Sequence, residues 1–165
     1  MENNDTDELF SQLEDVVNEQ KEMVLALLDG RVGGLASKEE LSEIITTNLM
    51  ARNQLMSIDY NDVQMALNGM NEVDGVAVSG KASSLYSMLK EASARLIAAH
   101  GGKNPSSLML GIGIASDGNF TMADLVGVSQ YLSEMGDDIS VIWGVAYNED
   151  LSGDEVKLAV LVGFE

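Results

Sequence analysis

Between Tyr60 and Phe164 the apolar residues of this chain switch back and forth between a helical and a strand period. No other feature restricts the fold as strongly. An amphipathic helix over Tyr60–Met70 gives way to a short strand, Val73-Asp74-Gly75-Val76-Ala77-Val78-Ser79-Gly80, bounded by glycine and polar residues. Residues 82–99 read as an Ala-rich helix with Leu85, Leu89, Leu96 and Ile97 inward; Gly101 and Gly102 stop it and Pro105 prevents its continuation. Ser107–Ala115 is an apolar strand that ends in the turn Ser116-Asp117-Gly118-Asn119. Thr121, with Asp124 three residues on, opens a helix that runs to about Met135. Ile139–Tyr147 and Glu155–Phe164 are two more strands. The turn formers between them, residues 148–154, predict an antiparallel hairpin. Such alternation builds a mixed sheet with helices packed on it. The expected fold class is therefore α/β (α+β): a four-stranded mixed sheet from residues near 73–79, 107–115, 139–147 and 155–163, covered by helices 82–99 and 121–135.

A helical arm precedes this body. Apolar residues at Leu9, Phe10, Leu13, Val16, Val17, Met23, Val24, Leu27 and Leu28 mark one stripe over residues 7–29. Asp5 or Thr6 is placed to cap its start and Gly30 to end it. The stripe packs on its own domain, or else it faces a second domain or a partner. Gly33-Gly34 breaks the chain, and the capping box Ser37-Lys38-Glu39-Glu40 opens a second helix with Leu41, Ile44, Ile45 and Leu49 on its buried face.

Where arm meets body lies Leu55-Met56-Ser57-Ile58-Asp59-Tyr60-Asn61-Asp62-Val63. Residues three apart share one side of a helical turn, so Asp59 and Asp62 present a paired negative face at a helix N-terminus. Taken as residues alone, Asp59 or Ser57 is an N-cap and Asp62 meets the positive end of the helix dipole. The competing reading makes the pair a functional site.

Asp and Glu number 27 against 9 Lys and Arg, a net charge of −18. That field repels phosphate backbones and anionic lipid, so nucleic acid and membrane surfaces are excluded as partners. The absence of cysteine rules out disulfides and thiolate metal sites, and no metal-ligand cluster is visible. No apolar run approaches the roughly 20 residues of a membrane span. The acidic N-terminus lacks the regions of a signal peptide, so a cytoplasmic location is expected. His100, the one histidine, reads as a surface residue at a helix end rather than a catalytic base. Gly111 and Gly113 sit inside a strand with no third glycine opening a helix; close packing or a bulge explains them better than a dinucleotide fingerprint.

The loop Leu55–Val63 resembles the segment Leu-x-Asn-x-Asp-Phe-Ala-Asp-Val of the FtsZ/tubulin family, with Ser57 in place of the Asn. Val76–Gly80 resembles that family's Gly-x-Ala-Ser-Gly strand end, and Asp138–Gly144 its Asp-Ala-Asn-Ile-Ile-Phe-Gly segment. Asp154–Phe164 resembles its closing Asp-Glu-Val-Arg-Val-Thr-Val-Ile-Ala-Thr-Gly-Phe, one residue shorter. The resemblance covers about Leu41–Glu165, and the leading helix is more weakly similar to the family's central helix. It implies residues 55–165 as a C-terminal-like domain and 1–54 as a helical arm resembling the central helix region. In that family the loop enters the nucleotide pocket of the next subunit and its carboxylates help activate the water that attacks GTP. The resemblance thus implies Asp59 and Asp62 as carboxylates acting in trans, and Ser57, Asp59, Tyr60, Asn61 and Asp62 as partner-binding residues.

The family's Gly-Gly-Gly-Thr-Gly phosphate loop has no counterpart; Gly30-Arg31-Val32-Gly33-Gly34 is too short and lacks the Thr. The chain is accordingly expected to be no enzyme on its own and to bind no cofactor alone, meeting GTP and Mg only through a partner subunit. That partner is an FtsZ- or tubulin-like GTPase, or self. Three functional readings follow. One is a cytoskeletal or cell-division filament module that offers the acidic loop to the GTP-bearing face of a partner, as cap, activator or filament part. Another is a non-catalytic, homo-oligomeric scaffold; the third is a domain excised from a full-length GTPase. A capped helix beginning so near Met1 favours a stand-alone protein over the excised domain.

Overall fold

The computed structural model describes residues 2–50, 54–56, 58–118 and 120–165. The element order is helix α1 (Glu2–Leu28), helix α2 (Lys38–Glu43), strand β1 (Gln54–Met56), helix α3 (Tyr60–Leu67), strand β2 (Glu72–Lys81), helix α4 (Leu85–Ala99), strand β3 (Ser107–Ile114), helix α5 (Leu125–Glu134), strand β4 (Ser140–Tyr147) and strand β5 (Glu155–Phe164). The four expected strands are present and form the expected mixed sheet. A fifth, β1, joins its edge, giving the order β1-β4-β3-β5-β2. β1 occupies the approach to the acidic loop and pairs antiparallel with β4, Gln54 opposite Ala146 and Met56 opposite Val145. Three residues are too few for a period-2 signal, so nothing in the sequence marks this strand.

The expected hairpin of the last two strands does not form. β3 lies between them, parallel to β4 from Ser107↔Ser140 to Ile114↔Tyr147 and antiparallel to β5 from Ser107↔Gly163 to Ile114↔Val156. The connecting residues pass over the end of β3, where the Asn148 N–H donates to the Ile114 carbonyl at 2.8 Å. β3 is apolar on both faces, the composition of a strand covered above and below by packed helices. β5 then pairs β2 along ten positions, Glu72↔Phe164 to Lys81↔Glu155.

Helices cover both faces of the sheet. Alternate residues of β3 and β5 (Leu108, Leu110, Ile112; Leu158, Val160, Val162) meet α4 and α5 through Leu85, Leu89, Leu96, Val128 and Tyr131. The intervening ones (Met109; Ala159, Leu161) meet α1, α2, the turn after α2 and α3 through Val24, Leu28, Leu41, Ile45 and Val63. The expected helix from Ser37 is present with its capping box, but after Glu43 it widens into a π-helical turn, Ile44–Leu49. There the Met50 N–H reaches the Ile45 carbonyl at 2.8 Å. This segment lies hard against β3: a Cβ on Gly111 would sit 2.7 Å from the Asn48 carbonyl oxygen and 3.0 Å from Leu49 Cδ2. Close packing therefore accounts for Gly111, whereas Gly113 has only ordinary contacts around it.

Two helix starts differ from expectation. α1 begins at Glu2, so Asp5 and Thr6 lie inside it rather than capping it, while Gly30 follows its end with φ +75° as expected. α5 becomes regular at Leu125, because Thr121–Asp124 forms a separate turn in which the Asp124 carboxylate accepts the Thr121 N–H at 2.9 Å.

Candidate functional site

The acidic loop is held from both sides. Ile58 is 2% exposed, and Val63, Ala66 and Leu67 bury the inner face of α3. Between these anchors Asp59 is extended, φ −108° and ψ 178°, and is the N-cap of α3. Its Oδ1 accepts the Asp62 N–H at 2.9 Å, and Asp62 Oδ2 accepts the Asp59 N–H at 3.0 Å. This reciprocal capping box satisfies two N–H groups that a helix start otherwise leaves unpaired. Asp59 and Asn61 are exposed; Tyr60 and Asp62 are half-buried. Ser57 lies outside the described residues. The chain thus brings Asp59, Tyr60, Asn61 and Asp62 together on one exposed helix start.

Asp59 is the cap, the role open to either Asp59 or Ser57 from sequence alone, and Asp62 stands at the third helical position. One oxygen of each carboxylate serves the box. The other makes no hydrogen bond to a described residue, and among those residues neither carboxylate has a cationic partner. Such a pair is rigid, negative and open. It can orient a water or meet a cation, but it cannot by itself hold an anion. Among the described residues no group of His, Asp and Glu is arranged to hold a metal, and no helix is long and apolar enough to cross a membrane.

A second cluster of charges was not expected. His100 caps the end of α4, yet its side chain is 3% exposed, which corrects the expectation of a surface residue. Its Nε2 meets Asp74 Oδ2 at 2.9 Å, its Nδ1 meets Glu72 Oε2 at 2.8 Å, and its ring stacks on Phe164 with centroids 4.4 Å apart. Burial opposes the charged ring, but the hydrogen bonds to Asp74 and Glu72 outweigh it and raise the pKa above the ordinary 6.5. Asp74 is fully buried and also accepts the N–H groups of Leu35 at 2.8 Å, Ala36 at 3.0 Å and Gly75 at 2.9 Å. It thereby ties the linker between α1 and α2 to the sheet edge and to α4. A Cβ on Gly34 would fall 2.1 Å from Asp74 Oδ2, and Gly34 has φ +154°, so this approach requires glycine. The available signal was an aspartate within an apolar strand, since a buried carboxylate requires partners. Its buried members, His100 and Asp74, are fully engaged and Glu72 lies half-exposed at the rim, so the cluster is an anchor for the linker.

No protein-family model matches the chain, and no curated protein does. Among solved structures it is similar to a mutant of FtsZ from M. jannaschii, with a TM-score of 0.53 and 16% sequence identity, over 76% of this chain. The likeness is one of fold. This chain spans only 38% of the length of that FtsZ chain.

Proposed function

We propose that the chain is a module of an FtsZ-like filament system, with a role in cell division or the cytoskeleton. In this reading it offers the loop around Asp59 and Asp62 to the GTP-bearing face of a separate FtsZ- or tubulin-like GTPase subunit. The observation that carries the reading is the capping box itself: two carboxylates fixed at an exposed helix start, without a counter-ion among the described residues, on an FtsZ-like fold. A preorganised carboxylate that orients the attacking water is an established device in phosphoryl transfer. The approach of a −18 chain to a triphosphate requires a metal or basic groups on the partner's side, since like charges otherwise repel it. Asp59 and Asp62 then act in trans, with Tyr60, Asn61 and Ser57 as contact residues, and GTP and Mg²⁺ are met only in the partner's pocket.

Polarity follows from the same reading. A subunit with two unlike contact faces propagates into an open filament, whereas one that offers a single face stops it. In this reading the chain offers the loop face alone, so it ends growth at one filament end. The competing possibility is that the carboxylates only cap α3.

Turnover by a polymerising FtsZ-type GTPase, measured with and without the chain, separates the two. Stimulation by the native chain that is abolished by Asp62→Ala supports the proposal. Equal stimulation by Asp62→Ala, or none by either, contradicts it.

A further inference from the structure

Helix α1 is 27 residues long, about 40 Å at 1.5 Å per residue. Its last turns belong to the domain: Val24 and Leu28 are fully buried and Leu27 packs beside them. Upstream, Leu9, Val16 and Met23 are 60%, 51% and 45% exposed. They recur every seventh residue, the interval that keeps side chains on one side of a helix against a partner helix. Phe10, Val17 and Val24 form a second line in the sequence at the same interval. Met23 adjoins Val24, which sits in the core, so the exposed line of Leu9, Val16 and Met23 starts at the edge of the domain. Helices of this kind draw most of their stability from a covered apolar face, and a line of exposed apolar residues along one side of such a helix is a surface for a partner helix.

Charge decides what covers it. Between Glu2 and Leu28 there are eight acidic residues and a single basic one, Lys21. Exposed Glu8 and Glu19 fall along one border of the stripe at 100° per residue. Two copies laid side by side would set like charges against each other on a chain already at −18, and flanking like charges disfavour helix pairing. A basic border would instead be attracted. We propose that the exposed stripe of α1 docks an amphipathic helix of another protein whose apolar seam is bordered by Lys and Arg. The surface uses none of the residues of the acidic loop, so it stands or falls separately from the filament reading.

The test uses the whole chain and two synthetic four-heptad peptides with Leu along the seam, one bordered by Lys and one by Glu. Light scattering gives the oligomeric state, and fluorescence anisotropy of the labelled peptides gives binding. The chain is expected to be monomeric, to bind the Lys peptide and not the Glu peptide. Raising salt from about 0.1 to about 1 M, where the Debye length falls from roughly 10 to 3 Å, weakens binding about tenfold. The double variant Val16→Gln, Met23→Gln leaves the charge unchanged and alters only exposed positions. It should keep the native circular dichroism and also lose about tenfold in affinity. A dimer of the native chain that the double variant abolishes would assign the stripe to a second copy and overturn the proposal. So would equal binding of both peptides, no binding of the Lys peptide, or undiminished binding by the double variant.

Discussion

Replacing Asp74 by alanine removes the acceptor of three backbone N–H groups and of His100 Nε2 in one step. Leu35 is 42% exposed, so water can take over its N–H, but Ala36 and Gly75 are buried and their donors are stranded. Each stranded donor costs about 1–3 kcal/mol. Two of them place the loss near ~4 kcal/mol, a large part of the roughly 5–15 kcal/mol that holds a domain folded. With a urea dependence of about 2 kcal/mol per M, the midpoint falls by roughly 2 M. Trp143, the sole tryptophan, packs against the core under α4 and α5 and reports the transition by fluorescence. Glu72→Gln is the control. That carboxylate is about half exposed and its one hydrogen bond among the described residues is to His100, so the change costs less than about 1 kcal/mol. A loss below about 1 kcal/mol for Asp74→Ala would refute the reasoning, because the linker would then be held by something other than this carboxylate.

The raised pKa of His100 means that the folded chain holds this proton more tightly than the unfolded one. The stabilisation is whole below about pH 6.5 and fades as pH climbs through the folded value. The drop in urea midpoint between about pH 6 and about pH 9 should therefore be larger for the native chain than for His100→Gln; equal drops would contradict it. Gly111→Val forces the π-helical turn off β3 and should cost about 1–3 kcal/mol by overpacking, read as a lower melting temperature; an unchanged one would show that the turn moves freely. Asp62→Ala removes one arm of the capping box and should cost about 1 kcal/mol with the circular dichroism unchanged. Calorimetry of the isolated chain with GTP and Mg²⁺ should give no heat beyond dilution, and saturable binding at micromolar ligand would overturn that expectation.

The four strands β2, β3, β4 and β5 and the helices α3 and α4 were legible because their apolar periods run for several residues or turns. Strand order was not. The turn-rich residues 148–154 are compatible with a hairpin, and β3 and β5 are alike apolar on both faces, so no local pattern sets β3 between β4 and β5. A three-residue edge strand such as β1 leaves no period to read, and the widening after Glu43 depends on where the sheet allows Asn48 to approach Gly111. At the loop, the Asp59–Asp62 spacing announced an N-cap with an acidic first turn, because i and i+3 positions are fixed by helix geometry alone, whereas the choice of Asp59 over Ser57 and the reciprocal bond from Asp62 came from the structure. His100 was misplaced for the opposite reason. Its partners Glu72 and Asp74 are 28 and 26 residues away, and no local pattern encodes a contact made across a sheet edge.

The absence of cysteine gives the most direct test of where the loop goes, since Asn61→Cys introduces a unique thiol on an exposed residue between the two aspartates. A benzophenone attached there and irradiated in the presence of a polymerising FtsZ-type GTPase should crosslink to peptides of the partner's GTP-binding face. The same probe at Gln130→Cys, exposed on α5 over the other face of the sheet, should not. Crosslinks from residue 61 confined to the nucleotide face would bear out the account. Crosslinks elsewhere on the partner, or none above those from residue 130, would contradict it.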